Sequence, residues 1–330
     1  METKAKAAIA AGCAVVLAGA GVGIGALAGG NGGGGGGGGG GGVATAPPST
    51  TASGVDPLTG RPGAAGPLLA VKIDNVEPAR PAVGLAQADI VYVERVEGGL
   101  SRFMAVYGGT DKPAEIGPVR SARETDLQVL SAYGKPAFAY SGAVSGFLKV
   151  LKGADVVNVS PAQKPGAYVR SSDRSAPHNL FVRTAGLTQG ASTAKDIGLR
   201  FGAVPAGGTA ATVSDTAMPA ASFRFTWNPG PASYTVLMDG RDTAPAHPQN
   251  VIIQHVEVTK SPGGFVDTNG GGRVSEPFSR TVGSGTGTVL RDGRSFPVTW
   301  TRPTPASGTT FTYQGKPFPL QPGQTWIVLN

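Results

Sequence analysis

The sequence of 330 residues holds a single cysteine, Cys13, and only three histidines, His178, His247 and His255. One cysteine excludes an internal disulfide, a cysteine-ligated zinc site and, beyond the first residues, a cysteine nucleophile. His247 and His255 lie eight apart across different predicted segments, which is not a ligand spacing, and no metal or cofactor is expected. Charged residues make up only 15%, with no run of consecutive Lys or Arg. No basic helix or nucleic-acid motif occurs, so no nucleic-acid partner is expected. G-x-S-x-G is missing; Gly142–Gly146 reads G-A-V-S-G. There is no P-loop and no H-E-x-x-H, which removes the readings those motifs would carry.

Glycine and proline are plentiful, at 53 and 27 residues. Much of the glycine is one run, Gly32–Gly42. No strand precedes it, so it does not read as a phosphate loop. Ahead of it, Lys4 and Lys6 precede an uncharged apolar run from Ala7 to Ala28. That length suits a membrane anchor or a long signal-peptide core ending at Ala26-Leu27-Ala28. Ala10-Ala11-Gly12 before Cys13 offers lipidation as a third route, weakened by the short apolar run ahead of the cysteine. Residues 1–28 therefore read as signal peptide or anchor, and residues 29–54 as a Gly/Pro/Ser/Thr-rich tether. Flanking lysines favour a cytoplasmic N-terminus, which places the rest extracytoplasmic. The net charge is +7; residues 1–54 carry Lys4, Lys6 and Glu2, so the remainder keeps +6. A diffuse surplus of this kind fits a solvated surface or attraction to an anionic envelope polymer or lipid surface.

Residues 55–205 read as an α/β domain with a mixed sheet. Strands are expected at Leu68–Asp74, Ala88–Arg95, Ser101–Tyr107, Pro136–Ser141 and Asp155–Val159. Glu97–Leu100 should turn a hairpin, with Gly98 and Gly99 free to take positive φ. Ser121 and Glu124 spell a capping box, predicting a helix from Ser121. A short helix is expected near Val144–Leu151, and another over Thr184–Ile197. Residues 206–217 read as a connector. Residues 218–330 read as a smaller, mainly antiparallel β domain, its short runs punctuated by N-P-G-P, M-D-G-R, S-P-G-G, R-D-G-R, Y-Q-G-K and Q-P-G-Q. Trp227, Trp300 and Trp326 read as core or sheet-face residues.

Arg120 and Arg123 stand at the predicted helix start, where the potential is already positive, so an anion is a natural guest. The competing reading pairs them with Glu124, Asp126 or Asp74. Ligand-binding candidates are Arg102, Arg120, Ser121, Arg123, Arg174 and Asn179. Asp74, Glu97 and His178 are the scarce groups able to do acid–base chemistry. Arginines outnumber carboxylates in these blocks, which favours an anion over a metal.

D-P-L-T-G-R-P, V-K-I-D-N-x-x-x-A-R-P-x-x-G-L-x-x-A-D-I-V-Y, V-E-G-G-L-S-R-F-M-A-V-Y, I-G-P-V-R-S-A-R and R-S-A-P-H-N-L, in this order, resemble the bacterial YerB-like family, built on the two-part domain of unknown function 3048. The resemblance covers about residues 55–330. It implies an exported or lipid-anchored envelope protein with a larger N-terminal and a smaller C-terminal part, and brings no established activity. Matching its blocks picks out Asp74, Asn75, Arg80, Glu97, Arg102, Arg120, Ser121, Arg123, Arg174, His178 and Asn179. Three functions remain open: an envelope binding protein for an anionic glycan, phosphate or carboxylate; a hydrolase or transferase acting on an envelope polymer; and a scaffold for protein partners.

Overall fold

The computed structural model describes residues 54–242, 246–268 and 272–330. The apolar run before Asp74 forms the strand Leu69–Asp74, buried at every residue. It pairs antiparallel with Ser101–Tyr107, which pairs antiparallel with Ile90–Arg95. The turn between the last two is the tight Glu97–Gly99 segment, where Gly98 and Gly99 take φ of 69° and 74°. Ala137–Ala139 and Val157–Asn158 extend this group in parallel. A mixed sheet was expected here.

The sheet does not stop at the first half. On its other side Ile90–Arg95 pairs in parallel with Thr325–Leu329, the last of the described strands. That strand also pairs in parallel with Asn250–Gln254, so Trp326 faces both Val91 and Val251 in register. Beyond Asn250–Gln254 lie Gly283–Arg291, Arg294–Arg302, Thr310–Tyr313 and Lys316–Pro317, all antiparallel. One large mixed sheet thus crosses both halves. A run of five apolar or β-branched residues such as Thr325–Leu329, buried throughout, suits a central strand covered on both faces.

Alternation along the strands separates two cores. Val71, Ile73, Val91, Val93, Phe103 and Val328 point to one side. There they meet a separate four-stranded antiparallel sheet built from Val213–Met218, Ala221–Asn228, Ser233–Met238 and Arg241–Asp242. Trp326 is the hinge of this contact, its ring 5.3 Å from Phe103 and 6.4 Å from Phe225. Ala70, Tyr92, Met104 and Val106 point to the other side, against Val129 and Leu130 of helix α1 (Glu124–Leu130) and Phe147 and Leu151 of helix α2 (Ser145–Gly153). Trp300 is also buried and donates its indole N–H to the His255 carbonyl, while Trp227 is partly buried against Tyr234.

Four expectations change. Helices are few and short, so α/β describes the first half only loosely. The helix expected over Thr184–Ile197 does not form. Gly186 and Gly190 there take left-handed φ of 72° and 81°, and backbone bonds go to distant segments, with Ser192 N–H donating to Lys135 O and Ala194 N–H to Gly66 O. α1 begins at Glu124, not Ser121. Asp126 at its third position accepts the Arg123 N–H (2.6 Å), doing what Glu124 was expected to do for Ser121. The expected connector contains the strand Val213–Met218. Ala7–Ala28, Cys13 and the glycine tether, and what is expected of them, lie outside the described residues. No helix among the described residues is long and apolar enough to cross a membrane.

Candidate functional site

At one end of the sheet the helix-side positions turn from apolar to charged. Lys72 and Asp74 follow Ala70 on the same face; Arg102 and Glu94 stand beside them, since Arg102 is in register with both Asp74 and Glu94. Two connected charge groups result.

The inner group has a fully buried centre, Lys72, Glu94 and Asp126. Lys72 Nζ donates to Glu94 Oε2 at 2.5 Å and to Asp126 Oδ1 at 2.8 Å. Burial and the nearby Asp126 push the Glu94 carboxyl up to about 8, against the pull of Lys72. Its Oε1 has no hydrogen-bond partner. Arg123 continues the network. Its Nε and Nη2 donate to Glu97 at 2.7 and 2.8 Å in a two-pronged pair. Asp267 and Glu276, from the second half, lie 3.6 and 3.5 Å from the same guanidinium. Burial opposes the charges on Glu97 and Arg123. Their mutual attraction wins, and holds Glu97 below and Arg123 above their ordinary values. Burial, and repulsion from Glu97, push Glu276 up to about 7 despite Arg123.

The outer group opens toward solvent. Asp74 Oδ2 is hydrogen-bonded to His178 Nδ1 at 2.8 Å and ion-paired with Arg120, whose Nε lies 3.0 Å away. Asp74 Oδ1 accepts the Asn75 N–H. Burial raises the Asp74 carboxyl, but the His178 hydrogen bond and the fields of Arg102 and Arg120 outweigh it and leave it below the usual carboxylate range. An ionised Asp74 must accept, so His178 Nδ1 carries the proton and Nε2 is left as the basic nitrogen of the neutral ring. Nε2 has no hydrogen-bond partner among the described residues, and the His178 side chain is 21% exposed. Arg102 Nη1 donates to Ser121 O at 2.9 Å. Burial and the neighbouring Arg123 and Arg120 push its guanidinium down to about 9, more than Asp74 and Glu97 restore.

The structure brings Asp74, Asn75, Glu97, Arg102, Arg120, Ser121, Arg123 and His178 together, from segments far apart in sequence. Others on the same roster serve the protein itself. Arg174 donates to the carbonyls of Ala79 (2.6 Å) and Pro81 (2.8 Å) and lies over the Phe181 ring, which fastens the loop carrying His178. Asn179 donates to Ser171 O and accepts from Arg170. Arg80 binds Asn75 and Asp239. Arg123 sits among three carboxylates, so the helix-start argument for an anion at Arg123 loses its basis; α1 has only seven residues besides. The excess of arginine over carboxylate is also reversed. Lys72, Arg102, Arg120 and Arg123 meet six acids: Asp74, Glu94, Glu97, Asp126, Asp267 and Glu276. Asp267 and Glu276 escaped the sequence reading because they lie in the second half. Lys72 sits between two apolar residues of a strand, and nothing in that local run marks it as part of a charged network. No group of three or more His, Cys, Asp or Glu side chains among the described residues is arranged to hold a metal ion. His247 and His255 are separately exposed.

Residues 55–197 match the family described as "Protein of unknown function (DUF3048) N-terminal domain", and residues 214–327 match its C-terminal domain. The chain belongs to the DUF3048 family. Among curated proteins of the family, "Putative lipoprotein YerB" of Bacillus subtilis (strain 168) is 32% identical over 115 residues, covering 34% of each chain. The aligned region thus spans about a third of that relative's length. The crystal structure of the YerB protein from Bacillus subtilis superposes with a TM-score of 0.66 over 82% of this chain and 94% of that one, at 23% identity. The family's fold is therefore shared across both halves. A family relative named as a lipoprotein is consistent with an extracytoplasmic, membrane-anchored place for this chain.

Proposed function

We propose that this DUF3048 protein is an exported, envelope-associated binding protein that holds an anionic group, a phosphate or carboxylate of an envelope glycan, at Arg102 and Arg120 beside His178. The observation that carries the reading is Arg102. Its side chain is nine-tenths buried, yet among the described residues it donates a single hydrogen bond, to the Ser121 carbonyl. A guanidinium has five donors. Two more guanidiniums repel it from nearby. An oxyanion at this place would satisfy donors and relieve the repulsion. His178, fixed through Nδ1, adds Nε2 as a polar contact at the rim. Titration of the full chain in detergent with wall-polymer fragments, followed by calorimetry, tests it. Loss of one charged hydrogen bond by Arg102→Gln is expected to lower affinity by ~10- to 100-fold. Unchanged affinity in that variant refutes the site.

A second reading rests on the Asp74–His178 pair. An imidazole held by a carboxylate with its other nitrogen unpartnered can act as a general base. Envelope polymer hydrolysis or transfer would then proceed at His178. It predicts turnover that His178→Ala abolishes while binding survives; the binding reading predicts no turnover at all.

A further inference from the structure

A second concave site lies away from the Asp74–His178 group. Two small antiparallel ladders build it. Val258–Lys260 pairs with Pro277–Ser279, and Val266–Asp267 pairs with Val274–Ser275. Arg95, at the exit of its strand, closes the third side. The cleft has a volume of about 650 Å³. That falls within the usual range for small-ligand sites, ~300–1,000 Å³.

Some exposed arginines are paired, Arg200 with Asp196, Arg224 with Asp215, Arg241 with Glu77 and Arg280 with Glu257, while Arg183, Lys149 and Lys195 carry no such pair among the described residues. The cleft is marked by three unpaired cations lining one hollow. The three cations of the cleft, Arg95, Lys260 and Arg273, have no side-chain hydrogen bond or ion pair among the described residues. The one acid in the lining, Glu276, is fully buried and lies against Arg123. Beside the cations stand three valines, Val258, Val266 and Val274, the last 46% exposed. Three unpaired positive charges around a partly apolar hollow fit an anion that carries an apolar body.

The shape narrows the class. A linear polyanion asks for an extended stripe of cations, whereas these three gather round one hollow. Proximity narrows it further. The apolar run ends near Ala28, and the glycine-rich residues 29–54 follow. A tether of this composition and length has a root-mean-square reach of roughly 30 Å. If residues 1–28 anchor the chain, as the envelope reading holds, the folded part stays next to a lipid surface.

We propose that the Arg95–Lys260–Arg273 cleft binds the phosphate headgroup of an anionic membrane lipid, the valines receiving its glycerol and upper acyl carbons. The phosphate oxygens accept from the two guanidiniums and the ammonium. This contact would fix the orientation of the domain on the membrane and leave the Asp74–His178 group to face its own ligand. The inference rests on the envelope location but not on the anion site at Arg102.

The test uses the full chain in a non-ionic detergent, titrated by calorimetry with short-chain phosphatidylglycerol. Phosphatidylcholine of equal chain length, glycerol 1-phosphate and a poly(glycerol phosphate) are the other arms. Saturable binding of phosphatidylglycerol, well above the phosphatidylcholine response and weakened by salt, is expected. Each exposed ionic contact is worth about two- to five-fold in affinity. Lys260→Gln with Arg273→Gln touches only exposed side chains and should lower affinity roughly four- to 25-fold. Adding Arg95→Gln should lower it further. Arg102→Gln should leave it unchanged, which separates this site from the other. Equal binding by the double variant and the parent overturns the proposal. So does tighter binding of the poly(glycerol phosphate) than of the lipid by the Arg102→Gln variant, which would assign the cleft to a polymer. Binding of glycerol 1-phosphate to that variant as strong as the lipid overturns the role given to the valines.

Discussion

Replacing Lys72 by methionine separates the charge network from the apolar core in a way that pH can read. The Lys72 ammonium is fully enclosed and donates to Glu94 and Asp126. Methionine fills similar volume, so little cavity forms and the loss is electrostatic. Two effects follow. Asp126 loses a charged hydrogen bond from Lys72, at a cost of ~2 kcal/mol. Glu94 loses the cation that makes its ionisation tolerable. Its folded-state carboxyl already titrates near 8 and will move higher in the variant. Below that point Glu94 is protonated in both folded proteins, so its term cancels. Above it the parent ionises Glu94 beside Lys72, whereas the variant must keep a proton that the unfolded chain releases or bury a bare charge. The expected destabilisation is therefore ~2 kcal/mol at pH 6, rising by about 1.4 kcal/mol at one pH unit past the parent's titration point, to ~3.4 kcal/mol near pH 9. Urea unfolding of parent and variant at both pH values measures it. A penalty equal at pH 6 and pH 9, or smaller at pH 9, refutes the assignment of Glu94 as the titrating partner.

Glu276→Gln should act in the opposite sense. The folded carboxyl titrates near 7, above its unfolded value, so the folded parent holds a proton that the unfolded chain gives up. Parent stability falls as pH rises between the two values, and the variant lacks that loss. Its thermal midpoint should gain on the parent from pH 5 to pH 8; a constant difference across that range contradicts the reading. Deleting residues 321–330 removes the strand that joins the halves. It should abolish cooperative unfolding of the first half as well as the second, seen as the loss of near-UV dichroism from its buried tyrosines. A residual sharp transition would show that residues 55–205 hold together alone.

Much of this architecture was legible in the sequence because strands announce themselves by local pattern. The bounds of Ser101–Tyr107 follow from its apolar and aromatic run, and the Gly98–Gly99 turn from glycine's access to positive φ. The joining of the halves was not legible. Thr325–Leu329 carries the same apolar run whether it closes a small antiparallel sheet or enters the centre of a large one, and nothing local records its partner. Helix α1 was shifted because Ser121–Glu124 and Arg123–Asp126 offer competing caps one turn apart, and the burial of Asp126 against Lys72 decided between them. For the candidate site, the convergence of Asp74, Arg102, Arg120 and His178 agreed with their place in the matched blocks. The loss of Arg123 as a ligand group depended on Glu276 and Asp267, some 140 to 150 residues downstream. The unpaired cations of the second cleft were invisible for the same reason, since a missing partner is a fact about space.

The placement of Thr325–Leu329 between Ile90–Arg95 and Asn250–Gln254 has a consequence for how the molecule is made. Chains are delivered N-terminus first, from the ribosome and through any secretion pore. Until Thr325–Leu329 has emerged, two hydrogen-bonding edges stay bare and Trp326 is absent from the contact with Phe103 and Phe225. The polypeptide is thus kept from locking prematurely, and remains threadable until that strand is delivered.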